Sequence, residues 1–439
     1  MLNRLLFKQV DNAALVVFRA LFGFLISVEA FGAIFTGWIK RTLIEPQFTF
    51  NFIGFEFLQP LPGNGMLWYY GVMGIFGIFV MLGFKYRMSI ICYGIMWSGV
   101  YLMQKSSYNN HYYLLMLLCM IMSFLPANRW FSIDAKLNPE ISKISMPRWV
   151  WIVIVLQLFI VYTYASVAKF YPDWLDGSFP AILMKGKADY WLVGEFLQQS
   201  WIRYAIAYFG LLFDLLIIPL LLWKPTRLPI FIAAIFFHLF NSFIFHIGIF
   251  PYMSLAFCIF FFPTEKINKW FLRNKKEHYD GDEIIVPSYR NFLVTAMSIW
   301  FIIQIGLPLR HWFFKDDVLW TEEGHRLSWR MMLRGKSGSV KFKVVEKGTS
   351  DTIFIDNKAY LGRKQLRAIG SKPDMIWQFA QRLEKKYEKE GKEVEVYVNS
   401  KVSVNGRPYQ PFIDPKVNLA AEKWPHFRHK NWILPSKQD

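Results

Sequence analysis

The chain has 439 residues, of which 54% are apolar and 19% aromatic, and a formal net charge of +18. Uncharged stretches of about 20 residues, the length of a bilayer-crossing helix, recur along the chain as far as Leu309, which excludes an ordinary water-soluble helical protein. Cys92, Cys119 and Cys258 lie inside apolar segments and imply no disulfide framework, and no CxxC, HExxH, Walker or GxGxxG pattern supports a metal or nucleotide site.

At the start of the chain, Arg4 and Lys8 precede an apolar stretch that Arg19 interrupts. It runs on past Phe31 without a small-residue cleavage pattern, so it reads as a first span kept in the mature chain. Nine spans are expected in all, over 13–35, 66–84, 88–103, 111–126, 149–169, 203–223, 228–245, 247–262 and 292–309. The eighth is short enough to be tilted or re-entrant. An odd number puts the two ends on opposite faces. With the N-terminus in the cytoplasm, the inner segments hold most of the Lys and Arg, including Lys85, Arg87, Lys136, Lys266 and Lys275. The outer ones hold only Lys40, Arg41, Lys105, Lys185, Lys187 and Arg203. The positive-inside bias then makes the C-terminal part extracytoplasmic, periplasmic in a bacterium and lumenal in a eukaryote. That bias and a Lys-rich tail helix account for much of the positive charge, so nucleic acid is not an expected partner; membrane lipids are.

Two outer segments, 37–65 and 171–200, are longer than connectors and rich in aromatics, as expected of segments that lie at the interface and cap a cavity. After the ninth span the composition changes. Residues 340–345, 352–356 and 394–398 read as strands, 375–389 as an amphipathic helix, and Asn405-Gly406 as a hairpin turn. The expected fold is therefore mainly α: a polytopic helical membrane domain over 1–310 and a small α+β extracytoplasmic domain over 311–439.

Ionisable groups at membrane depth are costly and mark candidate sites; here they are Arg19, Glu29, His111, Lys169, Asp214, His238 and His246. The topology brings His111, Lys169 and His246 to one face, below the soluble domain. Two readings compete for Lys169, which closes the fifth span ahead of Pro172: a lysine snorkelling to the headgroups, or a desolvated amine acting as a base. His111 opens the fourth span, where the helix dipole disfavours the imidazolium, so a neutral ring there is suited to donate to a developing oxyanion. His238 and Asn241 share a helical face, for an interhelix hydrogen bond or for a ligand. Asp214, near the middle of its span, reads equally as a pairing, packing or catalytic group.

Several segments resemble motifs of the vitamin K-dependent gamma-glutamyl carboxylases, in that family's order. Asn109-Asn110-His111 is similar to its Asn-Asn-His segment. The run from Tyr162 to Lys169, with Asp173-Trp174 and Gly177, resembles the stretch that holds its catalytic lysine. Phe237-His238, Asn241-Ser242 and Phe245 resemble a third signature, Ser328-Trp329 with Met331-Met332 the glutamate-binding segment, and Phe412-Ile413-Asp414-Pro415 a late ectodomain motif. Arg330 stands where the family usually has an acidic residue, and Ala168-Lys169 where it has a lysine pair.

The resemblance implies a membrane enzyme that uses a reduced vitamin K-type quinone, a hydroquinone, with O2 and CO2 as co-substrates and without a metal. Lys169 would deprotonate the hydroquinone, and His111 with Asn110 would stabilise the reacting oxygen species. His238 and Asn241 would bind the quinone, and Trp329, Arg330, Met331 and Met332 the glutamate of a peptide or protein substrate. Two alternatives stand beside this reading: a quinol epoxidase with another carboxylation substrate or none, and a transporter or lipid-binding scaffold. The absence of inverted repeats and paired broken helices counts against a transporter.

Overall fold

The computed structural model describes residues 1–278, 283–349 and 351–436. The last three residues of the expected soluble domain thus lie outside the described residues. Among the described residues, six helices are long and apolar enough to cross a membrane: Ala13–Phe35, Gly65–Leu82, Trp149–Val167, Ser200–Leu222, Arg227–Phe245 and Arg290–Phe313. The other three expected spans are also helical, but fall short of that standard. Tyr86–Met103 has 18 residues but a lower mean hydropathy, while Asn110–Phe124 and Phe250–Phe261 are shorter apolar helices. Six of the nine expected spans thus qualify by length and composition, and the other three are not confirmed as crossings.

The first two of the six cross closely because small residues meet there. A side chain at Gly23 would overlap the backbone of Met81, and one at Gly77 would overlap Ser27. Arg19, a functional candidate by its depth, is instead a structural anchor. It is fully buried and donates to the carbonyls of Ala127 at 3.2 Å, Trp130 at 3.3 Å and Phe131 at 2.6 Å, at the C-terminal end of Asn110–Phe124. Glu29 accepts from the Tyr112 hydroxyl at 2.6 Å and so ties the same two helices. Buried Gln157 bonds Gln304 at 3.1 Å and the Trp300 indole at 2.9 Å, which fixes the otherwise lipid-exposed last helix to Trp149–Val167. Two short strands that periodicity did not reveal, β1 (Gln9–Asp11) and β2 (Ser145–Pro147), pair antiparallel near the chain start.

The C-terminal domain is a four-stranded antiparallel sheet of β3 (Lys336–Glu346), β4 (Thr352–Phe354), β5 (Val394–Val404) and β6 (Gln410–Ile413), in the order β4-β3-β5-β6. Val340, Phe342 and Val344 alternate inward on β3, and Val394, Val396 and Val398 on β5, against the helix Pro373–Lys389. Asn405 at φ 52° and Gly406 at φ 78° form the turn expected there, closed by Arg407 N–H donating to the Val404 carbonyl at 3.2 Å.

Phe48 and Phe50, from the first long outer segment, enter the core of this domain. Gln365 donates to the Phe48 carbonyl at 2.7 Å and Gln378 to that of Asn51 at 3.1 Å. That segment therefore docks the domain, burying Phe48 and Phe50 in its core. The docking also has an ionic centre: Asp374 of the ectodomain meets Lys105 at 2.6 Å and Arg326 at 2.5 Å.

Candidate functional site

A cavity of 370 Å³ lies among the helices Trp149–Val167, Ser200–Leu222 and Arg227–Phe245, with Trp174, Leu183, Phe196 and Leu197 of the second long outer segment closing one side. Phe209, Phe236 and Phe240 line it and are also exposed on the outer surface of the membrane domain. The cavity therefore opens sideways, toward lipid.

Lys169 lines this cavity. Its helix ends at Val167, Ala168 caps it and Pro172 starts the short helix Pro172–Leu175, so Lys169 sits just past the helix end and not in its last turn. The side chain turns inward. It is 7% exposed, pairs with the Asp214 carboxylate, donates to the Gly210 carbonyl at 3.2 Å and lies 5.2 Å from the Trp174 ring. An amine buried among aromatics can hold an added proton only beside a counter-charge, which Asp214 supplies. This geometry replaces the snorkelling reading, which requires the amine to reach the headgroups.

Asn109 caps the helix Asn110–Phe124 by accepting from Tyr112 N–H at 2.7 Å, and this sets His111 in the first turn with its ring stacked on Phe250 at 4.0 Å. Phe250 in turn meets the His238 ring edge-on at 6.3 Å. His238 is 2% exposed; its Nε2 is 3.2 Å from the Tyr162 hydroxyl, and its Nδ1 has no hydrogen-bond partner among the described residues. Asn241, one turn further, lines the same cavity. His246, expected with these groups, is not among the lining residues. It caps its helix at φ 52°, which turns the chain outward and leaves the ring exposed beside Tyr190.

The segment expected to bind glutamate divides. Met331 and Met332 line the cavity, whereas Trp329 is 1% exposed and stacks on Tyr113 at 4.9 Å. Arg330 contributes its carbonyl, which accepts from Asn110 Nδ2 at 3.1 Å, while burial pushes its guanidinium down to about 10. Asn110 thus ties this segment to the membrane domain and is not a lining residue. Leu327, Trp329 and Met332 all have positive φ, a conformation non-glycine residues adopt only when contacts enforce it. The Tyr108 hydroxyl accepting from Leu327 N–H at 2.6 Å, with the Trp329 and Arg330 contacts, provides that enforcement.

Sequence reasoning missed three partners: Asp214 for Lys169, Tyr162 for His238, and the ectodomain hairpin. Asp173, four residues after Lys169, receives two bonds from Arg407 at 2.6 and 2.7 Å and one from Asn405 Nδ2 at 2.7 Å. The Tyr171 hydroxyl bonds the Leu333 carbonyl, so the loop after Lys169 is held by the C-terminal domain at two points. Because the Arg407 side chain is 57% exposed, Arg407→Ala should cost no more than about 1 kcal/mol, while Asp173→Ala should cost more by stranding Asn405 and Arg407 together. Unfolding curves of the two variants measure the difference.

Residues 7–266 match the family model described as the HTTM domain, and residues 289–439 match that of the vitamin K-dependent gamma-carboxylase lumenal domain. No solved structure matches the chain. The two matches follow one another along an integral membrane chain whose lipid-open cavity lies beside the docked C-terminal domain, and the protein belongs to the vitamin K-dependent gamma-carboxylase family.

Proposed function

We propose that this chain is a membrane enzyme that couples epoxidation of a reduced vitamin K-type quinone to carboxylation of glutamate in a peptide or protein. The observation that carries this reading is the Lys169–Asp214 pair inside an apolar cavity open to lipid. The residues present suit a hydroquinone. Aromatic walls match its ring and tail, and the unpartnered Nδ1 of His238, with Asn241 beside it, offers polar groups to its oxygens. When bound, the hydroquinone supplies with O2 the base that takes a glutamate γ proton, after which CO2 adds to carbon.

In this reading Lys169 takes a proton at Nζ from a hydroquinone hydroxyl, and the Asp214 carboxylate on the same nitrogen neutralises the ammonium that results. His111, stacked on Phe250, is placed to hydrogen-bond negative charge developing on oxygen, and the Tyr162 hydroxyl orients His238. The apolar walls exclude water, which would otherwise quench both the base and a carbanion. Met331 and Met332 form the border between the lipid-side cavity and the segment that would present glutamate.

The test is purified protein supplied with reduced vitamin K, O2, CO2 and a glutamate peptide, with epoxide and fixed carbon measured separately. The reading expects both products. Epoxide alone would select a quinol epoxidase with another acceptor or none, and solute transport that survives Lys169→Ala would select a transporter. Within the glutamate segment, Arg330→Lys removes bidentate pairing with a carboxylate, so it should weaken peptide binding more than hydroquinone turnover. Equal loss of both would assign Arg330 to the fold. For topology, we propose an N-terminus in the cytoplasm and a C-terminal domain outside it. A reporter fused to that domain should be extracytoplasmic, and a cytoplasmic signal would remove one span from the nine.

A further inference from the structure

On the outer side of the membrane domain, a second groove of 1030 Å³ separates the loop after the first helix from the helix Arg363–Ile369. Seven basic residues line it, against a single acid, Glu45. Lys336 is paired with Glu322 at 3.3 Å. Among the described residues, no carboxylate lies within ion-pair distance of Arg41, Lys358, Arg363, Lys364, Arg367 or Lys372. Like charges collected around one space repel: burial, and then the neighbouring Arg367, lowers the Lys364 amine. An anion in the groove would relieve that repulsion.

Its height identifies the anion. The first membrane helix, Ala13–Phe35, ends on Phe35, which is 85% exposed, and Trp38 follows within about one helical turn, roughly 5 Å along the axis. Trp38 lines the groove, with the Lys364 amine 5.7 Å from its ring. A tryptophan at the end of a span marks the level where hydrocarbon gives way to headgroups, and basic side chains at that level attract anionic lipid.

We propose that this groove holds the phosphate headgroup of an anionic phospholipid, engaged by Arg41, Lys364 and Arg367, with its acyl chains descending past Trp38 and Phe35. The lipid would bridge the first membrane helix and the C-terminal domain.

The experiment is native mass spectrometry of the full chain in detergent with equal amounts of phosphatidylglycerol and phosphatidylcholine. The wild type should retain phosphatidylglycerol preferentially, and Lys364→Ala/Arg367→Ala should lower that preference about ten-fold. Lys385→Ala/Lys389→Ala, which removes two exposed charges from another face of the same domain, should leave it unchanged. Lys364→Gln alone keeps a long side chain and should give a smaller loss in the same direction. Inorganic phosphate at the lipid's concentration should not displace the lipid. Absence of a headgroup preference, equal loss in the control variant, or displacement by free phosphate would each overturn the proposal. So would a glutamate-rich peptide that excludes phosphatidylglycerol from the groove.

Discussion

Lys169→Ala is expected to lower hydroquinone oxygenation by about 10²- to 10⁴-fold, the range over which a positioned general base contributes. The structure sharpens how this must be measured. Removing the amine leaves the buried Asp214 carboxylate without its partner, and a stranded buried charge costs about 3–5 kcal/mol. Lys169→Ala/Asp214→Asn should therefore be more stable than Lys169→Ala and equally inactive. A small exogenous amine entering the vacated space should restore part of the activity in Lys169→Ala, increasingly as pH rises and more of the added amine is neutral. Simple loss of packing would not respond to pH in this way. Wild-type turnover in the alanine variant, without amine, would remove Lys169 from the mechanism.

The second large effect falls on stability. Asp374 is buried between Lys105 and Arg326, where the ectodomain meets the membrane domain. Burial alone would raise its carboxyl, but the Arg326 and Lys105 cations outweigh burial and hold it well below the ordinary value of 3.8. Asp374→Asn leaves both cations uncompensated and should cost about 3–5 kcal/mol, read from denaturant unfolding of the solubilised protein. Adding Lys105→Met should recover part of the loss, since it removes one stranded charge along with its partner. The pH dependence has a definite sign. A carboxylate with a lowered folded-state value stabilises fully above 3.8, and its contribution disappears as pH falls from there toward the lowered value. The wild type should thus lose stability over that acid range, and Asp374→Asn should lose less.

Helix positions were legible because apolar runs of span length have no other explanation, and the sheet because Val340 to Val344 and Val394 to Val398 alternate with period two. The turn at Asn405 and Gly406 was legible for a local reason, since few residues tolerate positive φ in succession. The span count was less so. Tyr86–Met103 mixes polar residues into 18 positions, and Phe250–Phe261 reaches only about 18 Å, short of the roughly 30 Å hydrocarbon core. In the site, His111, Lys169, His238 and Asn241 were each found from depth or motif. The pairing of Lys169 with Asp214 was not, because a mid-span carboxylate demands a cation without saying which one. Depth also misled at Arg19, whose guanidinium is held by three carbonyls that no sequence pattern announces. The clamp of Arg407 on Asp173 joins positions 234 residues apart, and nothing local links them.

The central claim is that the cavity beside Lys169 binds the hydroquinone, and photolabelling tests it most directly. A reduced naphthoquinone bearing a photoreactive tail should label peptides spanning 196–214 and 236–250, and excess reduced vitamin K should suppress that labelling. Labelling concentrated elsewhere in the membrane domain, or unaffected by competitor, would contradict the assignment.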